Sequence, residues 1–193
     1  MEMFEGFLKS FILLFLIMDP FASLPVFLSV TRGMGPKEVF RSADNAIIVA
    51  GALLFTFLFF GGAILEVFGV SFSSFQIAGG IVLLLMALEL VLGLQLAHKA
   101  ATKAHVAVVL VGTPLLTGPG VITSVILLSR EFGLAIVLAA SIASLGTAWI
   151  ILRKAAAIRK ALGESVVETV SKIIGLLLAA NAVELIRRGL TGA

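Results

Sequence analysis

Cysteine is absent from this 193-residue chain, which excludes disulfides and thiol chemistry without identifying a compartment. Charge is scarce as well: 13 % of residues are charged and 60 % hydrophobic, with a mean hydropathy of +1.19. That leaves too little polar surface to wrap a soluble domain of this size. The two histidines, His98 and His105, fall around a polar loop without a carboxylate partner, so no metal site is expected. H-E-x-x-H, G-x-S-x-G and a pair of membrane-embedded aspartates are all missing, so neither an intramembrane enzyme nor a cofactor is expected. The few Asn and Gln fit a thermophilic source. The net charge of +3 is spread over loops rather than gathered on one face, so nucleic acid is not an expected partner. The lipid bilayer is.

What fills the chain is long apolar runs. A hydrocarbon core of about 30 Å takes about 20 helical residues to cross, and six stretches meet that length, near residues 5–30, 42–68, 72–94, 105–129, 131–152 and 166–186. They are continuous rather than alternating, which excludes a β-barrel. The first has Glu2 and Glu5 ahead of Lys9 and no small-residue cleavage site behind it, so it reads as a retained span. The polar gaps at 31–38, 95–103 and 153–165 are short, the last a basic helical linker suited to anionic lipid. Ten of the 14 Lys and Arg fall on one side of the alternating loops, leaving Lys9, Arg130, Arg187 and Arg188 on the other. The positive-inside rule makes the ten-charge side cytoplasmic and puts both termini outside, for a multi-pass protein of the inner or plasma membrane.

Two of these runs carry the same interruption. Asp19-Pro20-Phe21-Ala22-Ser23-Leu24-Pro25 and Thr113-Pro114-Leu115-Leu116-Thr117-Gly118-Pro119 share their Pro-to-Pro spacing and lie 94 positions apart. Gly80, Ala87, Leu88, Glu89 and Leu90 similarly align with Gly175, Ala182, Val183, Glu184 and Leu185. Because each half has three spans, an odd number, the second enters the membrane from the opposite face. The expected fold is an all-α membrane protein of six transmembrane helices in two inverted three-helix repeats, residues 1–95 and 96–193, with helices 1 and 4 broken at the Pro motifs.

Proline removes a helical hydrogen bond and pushes the residue before it out of helical geometry. Two prolines five apart should unwind about one turn, with Pro25 and Pro119 opening new half-helices. Their free N–H groups and positive dipole ends would then face mid-membrane and suit an anion or a carboxylate. Broken backbone inside a bilayer is tolerated where protein or a wet cavity satisfies it, which points to a solute site between the halves. A single such motif is equally a packing kink.

Asp19 is the sharpest candidate, since an ionised carboxylate near mid-membrane costs about 2.5–3.5 kcal/mol or more unless paired or hydrated. It suits a coupling proton or cation, or a substrate ammonium; the structural alternative is that it caps the half-helix. Pro20, Ser23, Leu24 and Pro25, with Thr113, Pro114, Thr117, Gly118, Pro119 and Gly120, surround the breaks. They offer hydroxyls and close backbone approach, although the glycines equally serve packing. Thr123 and Ser124, one turn on, line the path or bond back to their own helix, the latter being favoured. Glu89 is a candidate for proton relay, whereas Glu184 reads as a helix-end pair with Arg187 and Arg188. Asn45, Gln76 and Asn181 read as interhelical hydrogen-bond residues, and the small residues from Ala139 to Ser144 as close packing.

The block from Asp19 to Thr31, Phe75-Gln76-Ile77-Ala78-Gly79-Gly80-Ile81, and the block from Pro114 to Thr123 resemble the three diagnostic blocks of the MarC family (UPF0056-type). That family includes the SnatA small neutral amino acid transporters; its layout is also distantly similar to the LysE-type exporters. The resemblance spans nearly the whole chain. It implies a six-span inner-membrane protein that moves glycine, alanine or related small neutral amino acids, with proton coupling proposed for SnatA-like members; apart from the resemblance, a proton or sodium ion as coupling partner and a homo-oligomer are both open. It marks Asp19, Pro20, Pro25, Gln76, Gly79, Gly80, Pro114, Gly118, Pro119, Gly120 and Thr123. Where many relatives have Gly and Asn in the first block this chain has Ala22 and Ser23, which bears on substrate preference. Export of another metabolite or drug, or a non-transporting scaffold, are the alternatives.

Overall fold

A computed structural model describes residues 2–31, 33–92 and 116–191. Among the described residues every regular element is helical: α1 (Glu2–Met18), α2 (Pro20–Val30), α3 (Pro36–Val67), α4 (Phe72–Leu92), α5 (Pro119–Phe132), α6 (Leu134–Arg153), α7 (Ala155–Leu162) and α8 (Glu164–Thr191).

The boundaries follow from local chemistry. Pro36 opens α3 at a position needing no amide hydrogen. Glu38 three residues after the cap accepts the Gly35 N–H at 3.0 Å, half of a capping box. Ser71 caps α4 by accepting the Ser74 N–H at 3.1 Å. Gly133 separates α5 from α6 at φ 85° and ψ 153°, a conformation that a side chain would strain, and so turns the chain within one residue.

Four helical stretches are long and apolar enough to cross a membrane: Pro36–Val67, Phe72–Leu92, Leu134–Arg153 and Glu168–Thr191. They match four of the six expected spans, with α3 starting earlier and α8 ending later than the apolar runs alone indicate. The expected span 5–30 is divided at Asp19 into α1 and α2. Of the expected span 105–129, only the part from residue 116 is described, and it enters α5 at Pro119. The basic linker is helical, as α7.

α4 makes its largest packing surface with α8, α1 lies on α6, and α5 is wedged between α1, α3 and α4. The α4–α8 seam is set by glycines. A Cβ on Gly80 would lie 2.8 Å from the Ala182 carbonyl oxygen, one on Gly175 3.1 Å from the Ala87 carbonyl, and one on Gly189 2.8 Å from the Ser73 carbonyl. Partner numbers fall as α4 numbers rise, so the helices are antiparallel. In lipid there is little hydrophobic gain from helix association, and close backbone approach at small residues supplies the dispersion energy instead. The run from Ala139 to Ser144 behaves as expected for packing: Ala140, Ser141 and Ser144 are buried, and Ser144 Oγ donates to the Phe11 carbonyl of α1 at 3.3 Å. Leu14, Ile17, Leu54, Leu83, Leu116 and Leu152 fill the interior, while Ile48, Phe59, Phe60, Leu85, Ile142 and Leu176 lie exposed on the outer faces, the surface that a bilayer covers.

Candidate functional site

The first break is narrower than the Pro spacing predicts. Helix α1 ends at Met18, Asp19 takes φ 33°, and α2 resumes at Pro20. Among residues with a side chain, Asp and Asn tolerate this left-handed region best. Pro20 is thereby the first residue of α2, where its missing N–H costs nothing. Pro25, expected to open a new half-helix, lies instead inside α2. It has no N–H to give the Phe21 carbonyl, but Leu24 before it stays helical. The positive end of α2 therefore sits at Pro20, one turn earlier than expected.

Asp19 is buried, 4 % exposed, at the capping position of α2: its carbonyl accepts the Ser23 N–H at 3.3 Å and the Ser23 hydroxyl at 3.2 Å. The Ser23 hydroxyl, expected to be available to a ligand, is thus turned back onto the backbone. Leu24 is buried in the core beside it.

The second break is wider. Leu116 and Thr117 are non-helical, and Gly118 caps α5 with φ −71° and ψ 176°. The difference from the first motif is the residue before the proline. Gly118 adopts extended geometry freely, so Pro119 opens the helix as expected, whereas Leu24 gains by staying in its packed helical turn. Val121 and Ile122 both donate to the Gly118 carbonyl, and no hydrogen bond from the Gly120 amide, a first-turn donor, is present among the described residues. Thr117 Oγ1 donates to the Ala50 carbonyl of α3 at 2.9 Å, which moors the loop but uses the hydroxyl expected to face a solute. Thr113 and Pro114 lie outside the described residues, as do His98 and His105.

The two breaks are brought together. A Cβ on Gly120 would lie 3.3 Å from Ile17 Cγ2, two residues before Asp19, and 2.7 Å from Leu83 Cδ1 of α4. Thr123, one turn further, sits directly against Gly79 of α4. Ile17 near the end of α1, Leu83 of α4 and Gly120 of α5 therefore meet in one buried contact, two residues before Asp19. Glu89 is not part of it. It is half-buried six residues beyond Leu83, about 9 Å along the helix at 1.5 Å per residue.

Two features were not anticipated. Ser124, expected to bond back to its own helix, is buried with its hydroxyl unpartnered among the described residues. It lines a cavity of about 400 Å³ together with Gln76, Asn181 and charged residues of α1, α5 and α8. No interhelical hydrogen bond from Gln76 or Asn181 is present among the described residues, so both line space rather than tie helices. At the opposite end, Asp44 of α3 receives Trp149 Nε1 at 2.7 Å and both Arg153 Nε and Nη2, at 3.1 and 2.8 Å. The Arg153 guanidinium also stacks 4.3 Å over the Trp149 ring. Trp149 and Arg153 are four apart on one face of α6, a spacing visible in the sequence; their partner 105 residues upstream is not. Glu184 pairs with Arg187 and Arg188 at 2.8 and 2.9 Å, as expected.

Residues 4–193 match the family model described as MarC family integral membrane protein. The chain belongs to the MarC family. It is 35 % identical over 200 residues to UPF0056 membrane protein MJ1677 of Methanocaldococcus jannaschii, covering 98 % of each chain. To UPF0056 membrane protein YhcE of Escherichia coli it is 30 % identical, with 98 % of this chain and 94 % of the relative covered. To YvbG of Bacillus subtilis it is 29 % identical, with 98 % and 96 % covered. No solved structure matches. The family and the four long apolar helices make this a multi-pass integral membrane protein.

Proposed function

We propose that this MarC protein is a secondary transporter of small neutral amino acids, glycine and alanine above all, working by alternating access around the junction of its two helix breaks. The observation that carries the proposal is that Asp19 is buried two residues beyond Ile17, the α1 residue on which Gly120 in the first turn of α5 packs. An amino acid zwitterion needs both signs of partner within a few ångströms. The positive end of α5 and the Gly120 amide suit its carboxylate, and Asp19 suits its ammonium or a coupling proton or sodium ion. Leu83 packs on Gly120, and Leu24 and Leu116 are buried core residues; apolar surroundings of this kind favour small side chains, although they discriminate one methylene by only about 1–3 kcal/mol.

The two halves, residues 1–95 and 96–193, act in this proposal as inverted repeats that rock about the junction. Supporting this, the α4–α8 contacts are reciprocal: Gly80 meets Ala182 while its counterpart Gly175 meets Ala87, the counterpart of Ala182. Such self-complementary pairing is what a two-fold axis produces, and between antiparallel helices that axis lies in the membrane plane.

Reconstitution into liposomes tests the proposal. Labelled alanine should accumulate with an imposed proton or sodium gradient, compete with glycine, and lose uptake in Asp19→Asn. Alanine flux equal to that of empty liposomes under every gradient would overturn it.

A further inference from the structure

The cavity of about 400 Å³ beneath Ser124 opens between α1, α4, α5 and α8, on the side bearing Lys9, Arg130 and Arg188, which the positive-inside count makes the outer face. Its depth is polar. Gln76 is 6 % exposed, and Ser124 is 2 % exposed with no hydrogen-bond partner among the described residues. A buried hydroxyl in a membrane interior demands a partner, which water or a solute supplies. Its rim carries both signs. Arg188 is held by Glu184 of its own helix at 2.9 Å and reaches Glu131 of α5 at only 3.7 Å, a long contact across the mouth. The Arg130 guanidinium lies 4.2 Å over the Phe72 ring, pinning the end of α5 to the start of α4.

We infer that this cavity is an outer vestibule that takes a small zwitterion before it reaches the helix breaks, with the Arg188–Glu131 pair as its gate. The inference rests on the transport reading above and adds to it a second place of contact. Helix α5 makes the two places continuous. Gly120 touches Ile17 at the break, Thr123 touches Gly79, and Ser124 faces the cavity one turn later. Arg130 and Glu131 stand about 9 Å beyond Ser124 at 1.5 Å per residue. At the rim the arginines suit the carboxylate of an α-amino acid and Glu131 its ammonium, and the zwitterionic headgroup of a phospholipid shares that chemistry.

The chain contains no cysteine, so single-cysteine variants need no altered background. Ser124→Cys and Asn181→Cys are treated in intact cells with a membrane-impermeant thiosulfonate. Both should react from outside, and Glu131→Gln should speed the reaction by loosening the gate. Glycine or alanine at ten times its dissociation constant should slow the reaction about tenfold by occupancy. The slowing should persist with Asp19→Asn, because the vestibule lies outside the junction. That last arm separates the two ideas: loss of flux and of any Asp19 effect, with amino acid protection intact, sinks the junction site and upholds the vestibule. Cysteines that react only after permeabilisation overturn the inference. So does protection in detergent by added zwitterionic phospholipid with none by glycine or alanine, which assigns the cavity to a headgroup.

Discussion

Replacing Gly80 by alanine places a methyl carbon 2.8 Å from the Ala182 carbonyl oxygen and 2.7 Å from Ile186 Cγ1. Ordinary contact begins near 3.5 Å, and the carbonyl belongs to helix backbone that cannot swing aside, so α4 and α8 must separate by several tenths of an ångström along their seam. Overpacking of this kind costs about 1–3 kcal/mol, and the helix-propensity gain of Gly→Ala returns about 1 kcal/mol. The net loss is about 1 kcal/mol. At the counterpart Gly175 the nearest atoms are Leu90 Cβ and Val91 Cγ2 at 3.0 Å and the Ala87 carbonyl at 3.1 Å, so the same substitution comes out near neutral. In a thermal-unfolding assay of purified protein in one detergent, Gly80→Ala should lower the midpoint by about 2–4 °C relative to Gly175→Ala, using the scaling for a chain of this size. Adding Ile186→Ala should not restore Gly80→Ala, because it clears the side chain and leaves the carbonyl. A midpoint raised by Gly80→Ala, or full rescue by Ile186→Ala, would refute the seam as described.

Asp19→Asn keeps the shape and the left-handed tolerance of the residue, so binding of glycine or alanine should fall at least tenfold with the melting midpoint little changed. Asp19→Ala should add a loss of about 1 kcal/mol from its φ of 33°; isothermal titration and thermal unfolding separate the two effects. Thr117→Val removes the buried hydrogen bond to Ala50, whose carbonyl keeps its own helical partner, and should cost about 0.5–1.5 kcal/mol, while Thr117→Ser should cost less; the same melting assay decides. Arg153→Lys loses the two-pronged grip on Asp44 and the stacking on Trp149. Both charged side chains are about one-third exposed, at 35 % and 36 %, so its cost should stay below about 1 kcal/mol. A drop of many degrees would show the clamp to be a principal tie between α3 and α6.

The apolar runs were enough to specify a helical membrane protein, because a bilayer leaves the backbone no other way to satisfy its hydrogen bonds. The prolines were enough to place the interruptions, since a missing amide hydrogen and a fixed φ act locally. The shared Gly-x6-Ala spacing showed that α4 and α8 correspond, but only the structure shows that the two pack on each other at those glycines. What each interruption looks like was settled by packing. Nothing in the Pro spacing distinguishes Pro25, absorbed into a helix, from Pro119, which starts one; the outcome depends on whether the preceding residue gains more by staying packed, as Leu24 does, or by extending, as Gly118 does. The hydroxyls of Ser23 and Thr117 looked alike as ligand groups and proved committed to Asp19 and Ala50 carbonyls, while Ser124, expected to be committed, faces a cavity. The Asp44–Trp149–Arg153 clamp and the approach of Gly120 to Ile17 join residues about a hundred positions apart, and the Thr117–Ala50 bond joins residues 67 apart. Local chemistry determines which groups need a partner, and only the tertiary arrangement of the helices decides which partner comes within reach.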